Sequence, residues 1–166
     1  MVAAGALGAL RLVQVEYPQD WLATDIETEG QKQAEWRTDP ARAGAGGCIG
    51  DIGTHAFHLA GFVSGQQPES LLADLSSFVA GRALDDNAHI LLRYADGARG
   101  MLWASQVAAG QENALRLRIY GELGSLEWMQ ENPNVVTHRP LGEPARTLTR
   151  GGAGTVSGAV TRLPPG

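Results

Sequence analysis

Several features that would mark a particular class of protein are missing from this 166-residue sequence. Its only cysteine is Cys48, so no disulfide can form within the chain, and we expect a cytoplasmic protein. No apolar run approaches the roughly 20 residues that a helix needs to span a bilayer, and the N-terminus lacks the cationic start of a secretory signal. The 13 basic and 18 acidic residues form no basic block, so we expect neither a membrane nor nucleic acid as a partner.

The composition is that of a globular protein with one hydrophobic core. Hydrophobic residues make up 43% of the chain and charged residues 19%, and the 22 glycines indicate many turns. We expect one domain over residues 1–139. Residues 140–166 have little apolar periodicity and end in TRLPPG, which predicts a loop or a disordered tail.

Most of the periodic segments predict β-strands. Alternation of apolar side chains predicts strands at residues 8–17, 71–79, 87–94, 98–107, 114–120 and 124–130. The turns YADGA and YGELGS predict hairpins, because Asp-Gly readily adopts positive φ. Residues 18–47 keep no period and predict an extended connection. The fold class is therefore α+β, with an open, predominantly antiparallel sheet arranged as a meander.

One segment, residues 49–63, has a helical period. Its apolar arc consists of Ile49, Ile52, Ala56, Leu59, Ala60 and Val63. Asp51, His55 and His58 lie on a separate stripe, and Gly65 follows as a C-terminal stop. The pattern predicts one main helix packed on one face of the sheet.

The stripe Asp51, His55 and His58 is the leading candidate for a site. Its i, i+4, i+7 spacing places three side chains on one side of a helix, where a histidine can move a substrate proton and a carboxylate can orient its ring. On spacing alone, a structural interpretation is more common: Asp51 caps the helix and pairs with His55, while His58 is solvated. A metal site is a third interpretation, but no His-Glu-x2-His motif or cysteine pair accompanies the three residues, and we assign no metal ligands.

The segment before the helix offers further candidates. Trp36 and Arg37 could line a cleft for a polar ligand, with Arg37 or Arg42 supplying hydrogen bonds, although a surface loop fits as well. The glycines in AGAGGCIG do not match G-x-G-x-x-G and follow no strong strand, so we expect a bend that allows close packing instead of a dinucleotide loop. Cys48 is expected to be a buried structural thiol.

In this order, the segments resemble the C-terminal domain of the Gfo/Idh/MocA family, the glucose-fructose oxidoreductase and inositol dehydrogenase group of NAD(P)-dependent enzymes. The resemblance is carried by GGCIGDIGTHAFHLAGFVSG at 46–65, LDDNAHILLRYADGARGMLWASQ at 84–106 and NALRLRIYGELGSLEW at 113–128, and it extends over roughly residues 8–135. It implies an open-sheet domain whose companion Rossmann domain is absent. The family's Glu-Lys-Pro segment has no counterpart either, so we expect a fragment truncated at both ends.

The resemblance also implies roles for individual residues. His55 matches the family's catalytic histidine and Asp51 its partner carboxylate. Tyr17, Trp36 and Arg37 match more loosely the region that approaches the substrate. Arg42 and His58 are also assigned to substrate binding, but from their position in the chain, and many family members have an acid in place of His58. NAD or NADP would be bound mainly by the missing Rossmann domain, so this chain is assigned no cofactor-binding residues and is expected to be inactive alone.

The resemblance favours one function and leaves two others open. The leading hypothesis is the substrate and oligomerisation domain of an oxidoreductase for a sugar, inositol or related polyol, which forms a homo-oligomer through the open sheet face. The alternative is a non-catalytic oligomerisation or sugar-binding module. A metal-dependent hydrolase built on Asp51, His55 and His58 is a distant third.

Overall fold

An eight-stranded sheet is the framework of the computed structural model, which describes residues 1–150. The strands are β1 (Leu10–Pro18), β2 (Pro68–Ser76), β3 (Asn87–Tyr94), β4 (Arg99–Ser105), β5 (Arg116–Gly121), β6 (Gly124–Met129), β7 (Val135–Pro140) and β8 (Arg146–Thr149). The helices are α1 (Lys32–Arg37), α2 (Pro40–Ala43) and α3 (Thr54–Ser64), with a 3-10 turn at Val2–Ala4 and a π-helical turn at Ile49–Gly53. The predicted fold class is confirmed: the sheet is mostly antiparallel and carries one main helix.

The helix α3 packs on one face of the sheet through small side chains. Ala56 and Ala60 are 0% and 2% exposed, which lets the helix approach β1, β4 and β5 closely. Leu59 and Val63 pack against the same core at its margin, as the predicted apolar arc requires. The helix ends at Gly65, whose φ of 71° confirms the predicted stop.

The position of β1 differs from the predicted meander. The sheet order is β2-β3-β4-β1-β5-β6-β7-β8, so β1 lies between β4 and β5, parallel to the former and antiparallel to the latter. Val13 and Val15 are each 1% exposed, which fits a central strand. Alternation of side chains identifies a strand but not its partners, and so the sequence pattern missed this insertion.

Two further differences concern short elements. The connection 18–47 contains α1 and α2, which are six and four residues long and therefore too short to show a period. The strand β8 lies in the segment predicted to be loop or disordered, so that prediction is wrong for Arg146–Thr149. Pairing with β7 holds this mostly exposed strand without an apolar pattern. The rest of the predicted tail, residues 151–166, lies outside the described residues.

Within residues 1–150, none of the helices combines the length and the apolar character that crossing a membrane requires.

Candidate active site

The start of the helical segment is held by the carboxylate of Asp85, two residues before β3. Its Oδ1 accepts a hydrogen bond from the N–H of Gly47 at 2.7 Å, and its Oδ2 accepts one from the N–H of Ile49 at 2.8 Å. The N–H of Cys48 donates to the Asp85 carbonyl at 2.8 Å. A Cβ atom on Gly47 would lie 2.1 Å from that carbonyl oxygen, so only glycine fits. The predicted close packing at the glycine pair is therefore present.

Cys48 is a fully buried thiol, as predicted. Its Sγ–H donates to Asp85 Oδ2 at 3.1 Å. Burial, together with the hydrogen bond to Asp85 and the nearby negative charge, raises the pKa of the Cys48 thiol far above its usual range. The thiol stays protonated near neutral pH and is not a nucleophile.

The turn that carries Asp51 is π-helical and gives way to α-helix at Thr54. Asp51 therefore lies on the π-helical turn and His55 on the first turn of the α-helix. Within the described residues, no hydrogen bond joins these two side chains. The structural interpretation, in which Asp51 pairs with His55 directly, is therefore not what the structure shows.

Asp51 instead binds two side chains from outside the helix. Its Oδ2 accepts hydrogen bonds from Arg37 Nε at 3.2 Å and from Gln106 Nε2 at 2.8 Å. The side chains of Arg37 and Asp51 are 27% and 32% exposed, so this ion pair is partly shielded from solvent. Arg37 is the last residue of α1, and Gln106 directly follows β4.

The Arg37 guanidinium is itself supported by the aromatic side chains around it. Its central carbon lies 4.3 Å from the ring centre of Trp36 and 5.8 Å from that of Trp21. Gln33 Oε1 accepts from Arg37 Nη1 and from Trp36 Nε1. The predicted cleft residues Trp36 and Arg37 therefore belong to one cluster, which reaches the helical segment through Asp51.

His55 and His58 both lie exposed on α3. His58 stacks against Phe62, with ring centres 6.1 Å apart. No side-chain hydrogen bond of His55 is found within the described residues, so its imidazole is open to solvent or to another part of the protein. The stripe thus has a half-buried end at Asp51 and an exposed end at the histidines.

Tyr17 and Arg42 were also predicted to bind substrate, but their side chains bind other partners. Tyr17 is 9% exposed, and its hydroxyl donates to Asn113 Oδ1 at 2.7 Å. Arg42 forms a surface ion pair with Glu35 at 2.8 Å. Within residues 1–150, neither side chain has a hydrogen bond or ion pair with Asp51 or Arg37.

One cavity lies beside α3, but it is apolar. Its volume is about 240 Å³, and it is lined by Leu59, Val63, Leu117, Ile119, Leu126, Glu127, Trp128 and Val136. Neither Asp51 nor His55 lines it, and its wall suits an apolar group better than a polyol.

A buried ion-pair network centred on Arg82 gave no recognisable signal in the sequence. The Arg82 side chain is 1% exposed; its Nε and Nη2 donate to Glu27 at 2.8 and 2.9 Å, and its Nη1 donates to Asp86 at 3.0 Å. Burial acts to raise the pKa of Glu27, but the Arg82 guanidinium holds it below its usual range. The network ties the connection after β1 to the loop before β3.

A metal centre is not assembled by the described residues. In residues 1–150 no group of three or more His, Cys, Asp or Glu side chains is placed to hold a metal ion. The Asp51 carboxylate is engaged by Arg37 and Gln106, which leaves the Asp51, His55 and His58 ligand set without structural support.

Residues 1–127 match the family described as the GFO/IDH/MocA C-terminal domain, and this chain belongs to that family. Among curated proteins, it is 40% identical to the uncharacterized oxidoreductase YfiI of Bacillus subtilis (strain 168) over 153 residues, which cover 91% of this chain and 39% of YfiI.

Solved structures of oxidoreductases also resemble this chain. An oxidoreductase from Sinorhizobium meliloti is 52% identical with a TM-score of 0.78, over 93% of this chain and 39% of that one. An inositol dehydrogenase homolog from Azotobacter vinelandii, complexed with NAD+, is 36% identical with a TM-score of 0.88, over 93% of this chain and 40% of that one. An inositol dehydrogenase homolog from Azotobacter vinelandii complexed with NADH and myo-inositol is 32% identical with a TM-score of 0.82, over 93% of this chain and 38% of that one. The chain therefore spans about two fifths of the length of these relatives.

Proposed function

We propose that this chain is the substrate-binding part, bearing the catalytic residues, of an NAD(P)-dependent oxidoreductase that acts on a sugar, inositol or related polyol. One observation carries the proposal: Asp51 is a fixed, partly shielded carboxylate on the turn that leads directly into the helix of His55, whose imidazole is exposed and unbonded within residues 1–150. A second domain closing over α3 would bury that imidazole beside a substrate.

The proposed chemistry is the removal of a hydroxyl proton. An imidazole nitrogen of His55 can accept the proton, and Asp51 stabilises the resulting positive charge. Catalytic hydrogen bonds often form only in the complex with substrate, so the Asp51–His55 hydrogen bond is expected to form when substrate binds. A nicotinamide cofactor, when bound, supplies the acceptor for the hydride that leaves the carbon bearing that hydroxyl.

The cofactor phosphates are not expected to bind at the start of this helical segment. The N–H groups of Gly47, Cys48 and Ile49 all donate to Asp85, so none of the three is available to an anion. This agrees with cofactor binding mainly by a part of the protein that the chain does not contain. The choice between NAD and NADP would lie there as well.

Activity in a chimera tests the proposal. Residues 1–166 are joined to the part of the Azotobacter vinelandii homolog that the chain does not match, and polyol-dependent reduction of NAD and NADP is followed. We expect turnover in the chimera, none in the isolated chain, and a loss of at least about 100-fold in kcat for His55→Ala. The matched control is His89→Ala, an exposed histidine on the opposite face of the sheet. Equal losses in both variants would contradict the role of His55.

A second function, oligomerisation, is favoured by exposed apolar side chains at one edge of the sheet. Leu72 and Leu91 are paired across β2 and β3 on the face opposite α3, and they are 70% and 57% exposed. Such a patch is typical of a surface covered by another subunit. We propose a homo-oligomer through this open face. Light scattering is expected to show an oligomer for the unsubstituted protein and a smaller mass for the Leu72→Glu, Leu91→Glu double variant. An unchanged mass in the double variant would contradict the proposed interface.

A further inference from the structure

The two carboxylate oxygens of Asp51 have different surroundings. Oδ2 accepts from both Arg37 Nε and Gln106 Nε2, whereas Oδ1 has no hydrogen-bond partner within residues 1–150. The two donors come from separate elements, one at the end of α1 and one after β4. Two donors on one oxygen restrain rotation of the carboxylate and leave the other oxygen as a free acceptor.

Gln106 is a rigid donor. It is 2% exposed, its N–H donates to the Asp86 carbonyl at 2.9 Å, and its carbonyl accepts from the N–H of Leu22 at 3.0 Å. Its side-chain amide therefore extends from a backbone that is fixed on both sides. A buried side-chain amide loses a hydrogen-bond partner when Asp51 is removed, so the two residues depend on each other.

We propose that Gln106 is a positioning residue that acts through Asp51, with Arg37 as the second donor. Together they hold Oδ2, so that Oδ1 accepts from the His55 imidazole when substrate is bound. This inference rests on the proposed function, since it assigns Gln106 a part in the same reaction. It explains how a carboxylate that has no direct hydrogen bond to His55 within residues 1–150 is kept ready for the histidine.

Paired substitutions in the chimera test the inference. Gln106→Met keeps the length of the side chain and removes the donor, and we expect kcat to fall about tenfold or more with little change in KM for the cofactor. In an Asp51→Asn background the same substitution is expected to have almost no further effect, because Gln106 acts only through Asp51. Arg37→Lys is expected to retain more activity than Arg37→Met, since lysine still offers a donor.

A pH readout separates positioning from a structural role. Gln106→Glu places a carboxyl group against Asp51; it repels Asp51 when ionised and donates when protonated. We expect its activity, relative to the unsubstituted chimera at each pH, to rise as the pH is lowered. Gln111→Glu, the same change at an exposed glutamine, is expected to show no such trend.

A measurement on the 166-residue chain itself tests the hydrogen bonds without catalysis. In NMR spectra, Asp51→Asn is expected to shift the Gln106 side-chain amide and the Arg37 Nε–H signals and to speed their hydrogen exchange. Shifts in neither would overturn the inference. If the chimera is active, His55→Ala abolishes turnover and Gln106→Met has no effect, the role of Gln106 is overturned but the proposed function stands. An inactive chimera would overturn both the proposed function and the role of Gln106.

Discussion

The carboxylate of Asp85 accepts a hydrogen bond from the N–H of Gly47 across 38 residues of sequence, and this contact fixes where the helical segment begins. The same side chain also accepts from Ile49. The turn that presents Asp51 is thus positioned by the loop that leads into the sheet, because Asp85 lies two residues before β3. The stability of the fold and the geometry of the candidate site are linked at this point.

Removing the Asp85 carboxylate is expected to destabilise the fold. Asp85→Ala leaves two partly buried N–H groups without their acceptor, so we expect a loss of about 2 to 4 kcal/mol in the free energy of unfolding, measured by urea denaturation. Asp74→Ala on the exposed strand β2 is the control and is expected to stay within about 0.5 kcal/mol. Equal effects at the two positions would contradict the capping role.

Glycine 47 and glycine 50 are expected to respond differently to the same substitution. Gly47→Ala forces a Cβ atom to 2.1 Å from the Asp85 carbonyl oxygen, while a Cβ on Gly50 meets nothing within 4 Å. We expect Gly47→Ala to lower the thermal midpoint clearly and Gly50→Ala to leave it nearly unchanged. A tolerated Gly47→Ala would show that the close contact is not required.

The Glu27–Arg82 pair predicts a dependence of stability on acid pH. Burial opposes the charged form of Glu27, but Arg82 holds its pKa below the ordinary value of 4.5, so the ionised form is favoured on folding. The pair therefore stabilises the fold above about pH 4.5, and this contribution is lost as the pH falls through the lowered pKa. Glu27→Gln is expected to be less stable at pH 7 and to show a flatter acid slope than Glu29→Gln, an exposed control. Identical slopes would contradict this.

The Cys48 thiol is expected to be unreactive in the folded protein. It is fully buried and its pKa is raised, so the thiolate is scarce at neutral pH. A thiol-specific reagent should label it only after urea unfolds the chain, as counted by mass spectrometry. Labelling of the native protein at the rate of a free thiol would show that the site is open.

Local sequence patterns were sufficient for the elements but not for their arrangement. The apolar arc of residues 49–63 and the Asp-Gly turn at 94–98 reflect side-chain periodicity and backbone preference, which a single sequence displays, and both were confirmed. The insertion of β1 beside β4 and the pairing of β8 depend on contacts between distant strands, which alternation does not encode.

In the candidate site, too, local sequence signals were visible and long-range contacts were not. The family motif identified Asp51 and His55, and the local composition pointed to Trp36 and Arg37. Gln106 was missed, because the alternation pattern placed it inside the predicted strand 98–107, and its contact with Asp51 spans 55 residues. Long-range hydrogen bonds of this kind follow from the tertiary fold. The cytoplasmic location and the roles of all the predicted site residues, Asp51 and His55 included, remain predictions.

The proposed reaction requires the His55 imidazole to contact the substrate. The direct measurement is a crystal structure of the chimera, joined to the Azotobacter vinelandii cofactor part, with NADH and myo-inositol bound. We expect an imidazole nitrogen of His55 within about 2.6 to 3.2 Å of a substrate hydroxyl, with Asp51 Oδ1 turned toward the same ring. A polyol bound elsewhere, with His55 still facing solvent, would contradict the account.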